Sequence, residues 1–345
     1  MIRTLVIDDS ATIRRVFTEA LQLTDDIEVV GTAPDAFLGL EAILALNPDV
    51  ITLDIEMPHM DGLTFLTRLM QSRPMPVVVI SSVSARGSNA AMRALELGAV
   101  DVLCKPSSAQ EARAFPAVLA RSIQVAAAAR LHATPGAAAA RIGALRRATA
   151  SAPSGSVFAI GASTGGTEAI RQVLTAWPGE GPPIVIVQHL PPQFTKPFAE
   201  RLNEVTSVRV AEAVGGEELL PGTAWVAPGG RHMAVVRHAG QCYLHLSNEP
   251  PEHFQRPAVD VLFRSVAKAI GRRAVGAVLT GMGQDGVGGL LAMRQAGART
   301  FAQDQDTSVI FGMPRVALER GAAERACPLH EISTTVLAAF AAMET

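Results

Sequence analysis

At 345 residues the chain exceeds what one ordinary core needs, so two domains are expected. Hydrophobic residues at 48% against 18% charged exclude a disordered chain, and a formal net charge of −2 gives no electrostatic case for a nucleic-acid or membrane-surface partner. Cys104, Cys242 and Cys327 form no CxxC pair, which argues against a disulfide framework or a zinc site.

The N-terminal apolar run stops at Asp8-Asp9 before a signal-peptide core can form, and no apolar stretch reaches about 18 residues. A soluble, cytoplasmic protein without direct membrane insertion is expected. Short apolar runs at Thr4–Ile7, Val29–Ala33, Val50–Leu53, Val77–Ile80 and Val100–Leu103 alternate with helix-like stretches such as Glu41–Leu46 and Met92–Leu97. That alternation over residues 1–106 predicts βαβ units, hence a parallel sheet with helices on both faces.

Asp8 and Asp9 follow the first run, Asp54 the third, Ser81 the fourth and Lys105 the fifth. In a doubly wound sheet these strand ends converge on one crevice. Three carboxylates there repel one another unless a cation intervenes, and hard oxygen ligands suit Mg²⁺. A metal, a nucleophilic carboxylate, an ammonium and a hydroxyl can together accept a phosphoryl group on Asp54 and sense it. Asp8-Asp9-Ser10 alone would be better explained as a helix N-cap with acids near the dipole. With Met57-Pro58-His59-Met60-Asp61-Gly62 and Lys105-Pro106 added, the segment resembles the response-regulator receiver domain, a flavodoxin-like fold. The resemblance implies Asp54 as phosphoacceptor, Asp8 and Asp9 as its partners at the metal site, Ser81 as switch hydroxyl and Lys105 as phosphate-binding cation. Val102 departs from the pattern, standing where many receivers carry an aromatic switch residue.

Residues 107–155 break the alternation. From Ala112 to Thr167 there is no Asp or Glu, while Arg113, Arg121, Arg130, Arg141, Arg146 and Arg147 lie among alanines. This reads as a partly helical linker with exposed joints at Thr134-Pro135-Gly136 and Ser151–Ser156. A basic arm that docks on an acidic helix is the alternative.

Over residues 156–345 the alternation resumes. Val157–Ile160, Ile184–Val187 and Val275–Leu279 read as buried strands of a second doubly wound, Rossmann-like domain. Pro257 opens a helix whose Val259, Phe263, Val266 and Ile270 share a face, and His232–Arg237 with Gln241–Leu246 flank Ala239-Gly240 as a β-hairpin. Ser163 lies in Gly161-Ala162-Ser163-Thr164-Gly165-Gly166, a sharp turn between strand and helix that exposes a hydroxyl beside backbone N–H groups. A phosphate-binding glycine turn is the rival, but no P-loop lysine follows, and the next strand ends in Gln188-His189 without an acid.

Of the eight histidines, His59, His132 and His330 lie in turns or linker, His238 and His245 belong to the hairpin, and His253 sits in a polar loop. His232 fits loop bracing as well as a place beside the site. His189 alone stands at the carboxyl end of an expected central strand, as a general base would. Asp285 is the acid of the glycine-rich turn Thr280–Gly286, although it could instead cap the following helix; Asp260 reads as a first-turn helix residue. Ser163, His189 and Asp285 on three strand ends can run acyl transfer, in a chain order unlike that of α/β-hydrolases.

The segments Gly161–Gly166, Gln188–Pro192, Ala227–Met233, Arg256–Asp260 and Leu279–Gly286 resemble the chemotaxis protein-glutamate methylesterase family, CheB, over roughly residues 156–340. That resemblance implies a glutamate γ-methyl ester on the cytoplasmic helices of a chemoreceptor as substrate, receptor glutamines as further substrates, and a histidine kinase as phosphodonor. It requires no cofactor in the catalytic domain. Thr164 and Met282 fall in the matching site segments and are expected to offer oxyanion donors from their backbone N–H groups.

Overall fold

The computed structural model describes residues 1–82, 84–130 and 152–343, and divides into two compact units, Met1–Ala133 and Thr134–Thr345. In the first, β1 (Ile2–Ile7), β2 (Ile27–Ala33), β3 (Val50–Asp54), β4 (Val77–Ser81) and β5 (Asp101–Cys104) form one parallel sheet in the order β2-β1-β3-β4-β5. Every residue of β3 and β4 is buried, because helices cover both faces of a parallel sheet. The order reverses at β1, so the carboxyl ends of β1 and β3 border the crevice where such folds bind ligands.

The helices α1 (Ala11–Leu21), α2 (Ala36–Leu46), α3 (Gly62–Ser72) and α4 (Ala85–Glu96) connect these strands. Ser10, Asp35, Asp61 and Ser84 cap them, each accepting a hydrogen bond from a first-turn N–H. The stretch expected as a partly helical linker from residue 107 opens on a helix that packs onto the first unit. Ala109–Ala127 is a fifth helix, α5, capped by Ser108, and its Phe115 stacks on Phe17 of α1 with ring centroids 5.2 Å apart. Its buried Phe115, Leu119 and Ile123 recur every four residues and give the alanine-rich sequence an apolar face to dock. The arginine-bearing stretch 131–151 lies outside the described residues.

The second unit is built on seven parallel strands in the order β14-β13-β12-β6-β7-β9-β8. They are β6 (Val157–Ala162), β7 (Ile184–Gln188), β8 (Arg209–Glu212), β9 (Thr223–Val226), β12 (Ala274–Val278), β13 (Arg299–Gln303) and β14 (Arg325–Cys327). Between β9 and β12 the chain forms the separate hairpin β10 (His232–His238) and β11 (Gln241–Ser247). Its turn residues, Ala239 and Gly240, both have positive φ, which matches the twist of the flanking strands. The helices are α6 (Gly166–Thr175), α7 (Pro192–Val205), α8 (Val259–Ala269), α9 (Val287–Gln295), α10 (Met313–Glu319) and α11 (Ile332–Ala341). Pro257 stands just before α8, while Val259, Phe263, Val266 and Ile270 join the core as the spacing predicts. Winding proceeds outward from β6 on one side and from β12 on the other, so the crevice opens where β6, β7 and β12 end.

Candidate active site

In the first unit the sheet brings one cluster together. Ile7 pairs with Leu53, which sets Asp8 beside Asp54 at neighbouring strand ends. Lys105 places its ammonium 2.8 Å from Asp54 Oδ2 and 3.0 Å from Asp8 Oδ2. Asp9 is exposed, and one carboxylate oxygen from each of Asp8, Asp9 and Asp54 lies within 4.8 Å of the others. Burial pushes the pKa of Asp54 up, with Asp8 adding to it and Lys105 opposing it. Burial works against the Lys105 ammonium, yet hydrogen bonds and charge attraction from Asp54 and Asp8 hold its pKa above the usual value. One ammonium faces three carboxylates, so the cluster keeps surplus negative charge on oxygen donors, and a hard divalent cation fits it.

Ser10 rather than the two acids caps α1, and Asp8 Oδ1 accepts from the Ser10 N–H at 2.9 Å. Ser81 is buried and donates its hydroxyl to the Gly87 carbonyl at 3.0 Å. Val102 lies buried in β5, paired with Val79. Gly62 is required beside Asp54, since a Cβ there would sit 2.2 Å from the Asp54 carbonyl oxygen.

In the second unit the turn after β6 carries Ser163. Its N–H donates to the Thr280 carbonyl at 3.0 Å, and its carbonyl accepts from Gly166 N–H at 2.8 Å. Gln188 Nε2 donates to that same carbonyl at 2.8 Å, so the last residue of β7 braces the serine turn. His189 follows directly, its N–H donating to the Ala162 carbonyl at 3.1 Å; Ser163 and His189 thus extend paired strands side by side. Gly281 packs against them. A Cβ at Gly281 would lie 2.6 Å from Ser163 Cβ, so only glycine lets the loop after β12 approach Ser163 this closely.

Asp285 is buried and receives three hydrogen bonds. His189 donates from Nε2 to Oδ2 at 2.8 Å, Val259 N–H to Oδ2 at 2.8 Å and Asp260 N–H to Oδ1 at 2.9 Å. The last two are first-turn N–H groups of α8, so Asp285 satisfies the helix before it and not α9, which follows it. Burial alone would raise the pKa of this carboxyl, but His189 and the two backbone donors outweigh it and hold it below the usual value. The acid is therefore ionised at neutral pH, and in the neutral imidazole the proton belongs on Nε2, facing the carboxylate, with the lone pair on Nδ1. Thr164 directly follows Ser163 in its turn, and Met282 directly follows Gly281, whose close approach to Ser163 brings the β12 loop to the same place. The Thr164 carbonyl is tied to Thr280 Oγ1 at 2.9 Å, which fixes the turn that presents its neighbouring N–H groups.

Three side chains take places that the sequence left open. His232 accepts the Ala258 N–H on Nδ1 and donates from Nε2 to the Pro250 carbonyl, a loop brace. Asp260 is more than a first-turn helix residue: it is buried, accepts the Gly289 N–H and binds His253 Nε2 at 2.9 Å. Gln188 is the third, and its position beside His189 at a strand end was the available signal.

The description "CheB methylesterase" matches residues 158–336, and "response regulator receiver domain" matches residues 4–115. A protein-glutamate methylesterase/protein-glutamine glutaminase of Pectobacterium atrosepticum is 47% identical, the match covering 99% of this chain and 97% of the relative. The chain belongs to the CheB methylesterase family. Number 4 of the proteins so named in Anaeromyxobacter dehalogenans is 49% identical, over 97% of this chain and 94% of its own. The crystal structure of the Thermotoga maritima CheB methylesterase catalytic domain aligns with a TM-score of 0.53 at 35% identity, covering 54% of this chain and 98% of that one. Family membership joins the two clusters in one protein: a receiver that accepts phosphate and a hydrolase that acts on esters. Among the described residues no helix is long and apolar enough to cross a membrane.

Proposed function

We propose that this chain is a phosphorylation-activated serine hydrolase of chemotaxis adaptation, acting in the cytoplasm on glutamate γ-methyl esters of chemoreceptor helices. The observation that carries the reading is His189, held by ionised Asp285 at 2.8 Å and set beside Ser163 by strand register. Ser163 Oγ attacks the ester carbonyl as His189 Nδ1 takes its proton. The N–H groups of Thr164 and Met282 donate hydrogen bonds to the developing oxyanion. The bond from carbon to the methoxy oxygen then breaks, His189 returns the proton, and methanol leaves an acyl-serine that water hydrolyses to glutamate. With a glutamine side chain the same steps release ammonia.

In the receiver, Asp54 is the phosphoacceptor for a histidine kinase, Lys105 pairs with the phosphoryl oxygens, and Ser81 turns its hydroxyl toward them as the switch. Asp8, Asp9 and Asp54 would hold Mg²⁺, which neutralises phosphoryl charge during transfer. The domain reading is a receiver whose strands lie within residues 1–106 and which is closed by α5 (Ala109–Ala127), a linker within the rest of 107–155, and a catalytic domain over 156–345. Ser163→Ala tests the enzymatic core: methanol release from methylated receptor should fall on the order of 10⁶-fold. Undiminished release would refute the assignment of the nucleophile.

A further inference from the structure

Beside the proposed triad the chain spends backbone strain on a side chain that the chemistry above does not use. Glu252 and Gln255 exchange backbone hydrogen bonds, at 3.1 Å from the Glu252 N–H and 2.8 Å from the Gln255 N–H. His253 and Phe254 are therefore the two central residues of a tight turn. Both are left-handed, at φ +51° and +62°, the geometry that Asn-Gly pairs fill best and that bulky side chains resist. Burial does not offset this for Phe254, which is 92% exposed, more than any other large hydrophobic side chain among the described residues.

The turn is nonetheless firmly held. His253 binds Asp260, and both carboxylate oxygens of Glu252 are taken by Arg264 at 2.7 and 2.5 Å. Arg256 donates to the carbonyls of Asn248 and Glu249, and His232 to that of Pro250. Glu252, His253 and Asp260 lie close enough to suggest a metal site, but Arg264 already occupies Glu252, so the group acts as a brace. The brace ends at the triad: Asp260 N–H donates to Asp285, which holds His189. On the triad acid's own loop, Met282 is a second exposed apolar side chain, next to the glycine that abuts Ser163.

A solvent-facing aromatic on a firmly held turn is preorganised in its backbone, so only the ordering of one side chain opposes binding when a partner arrives. We infer that Phe254 is a specificity-determining residue that docks an apolar side chain on the helix bearing the scissile ester. The inference rests on the proposed function and deepens it. The partner is the protein substrate because the turn is joined to the triad acid through Asp260, whose carboxylate holds His253 and whose N–H donates to Asp285. The contact is apolar because Glu252 and Arg264 neutralise each other.

The test compares two substrates of the full-length chain: a methylated receptor cytoplasmic fragment and a short unstructured peptide carrying glutamate γ-methyl ester. Phe254→Gly suits the left-handed backbone, so it removes the ring while keeping the turn, and its melting temperature should equal or exceed that of the wild type. Its KM for the receptor fragment should rise about tenfold with kcat little changed, so that the preference for receptor over peptide falls about tenfold. Phe254→Tyr should restore that preference. An unchanged receptor KM in Phe254→Gly would overturn the inference, as would equal losses on both substrates with a lowered melting temperature. If the proposed function itself fails, the wild-type chain releases methanol from neither substrate, a different result that overturns both.

Discussion

The two acidic sites of this molecule occupy equivalent places in two parallel sheets, yet they are electrostatic opposites. Around Asp54, one ammonium faces three carboxylates, and burial pushes the pKa of Asp54 up. Around Asp285, one carboxylate meets a histidine and two helix N–H groups, and its pKa falls. The first site is left short of positive charge and can take a cation and a phosphoryl group. The second is saturated with donors and holds one imidazole in one orientation. The sheet supplies the place, and the donors around each carboxylate decide whether it reacts or positions.

That contrast can be broken by removing the charge on the positioning acid. Asp285→Asn keeps an acceptor for α8 but puts an amide where His189 needs a carboxylate, so the imidazole loses its tautomer; kcat should fall about 10⁴-fold. A loss of less than about tenfold would place Asp285 in helix capping alone. The geometric side of the saturated site is probed by Gly281→Ala. Its new methyl group would force Ser163 or the β12 loop to shift, and kcat should drop roughly 10²-fold with the fold retained. Circular dichroism and kinetics on one preparation check both parts.

The smallest expected effect concerns acid stability. A carboxyl whose pKa is depressed on folding stabilises above its unfolded pKa, and that stability is lost as pH falls through the folded value. Asp260 is shifted upward by burial and works in the other sense, so the informative quantity is the melting-temperature gap between wild type and Asp285→Asn. That gap should shrink between about pH 7 and about pH 3. A gap that stayed constant would mean the Asp285 carboxylate is not stabilised by its donors.

Much of this contrast was legible in the chain itself. Strands buried on both faces, such as Val77–Ile80 and Ile184–Val187, read as unbroken apolar runs, and the residues after them fall at strand ends by necessity. The edge strands Arg209–Glu212 and Arg325–Cys327 were not legible, because they are short and partly exposed and show no such run. Helix α5 hid in an alanine-rich stretch whose apolar face appears only once Phe115 is seen against Phe17. The binding of Asp285 to the start of α8 joins residues about two dozen positions apart, a contact no local spacing announces. The same holds for the brace from His253 to Asp260, which only the folded loop reveals.

The central claim, that a phosphoryl group on Asp54 governs hydrolysis at Ser163, is tested most directly by methanol release from methylated receptor with and without a small phosphodonor, in wild type and Asp54→Asn. The wild type should be stimulated by the phosphodonor, while the variant keeps an unstimulated rate that the phosphodonor does not change. Equal stimulation of both proteins would contradict the account.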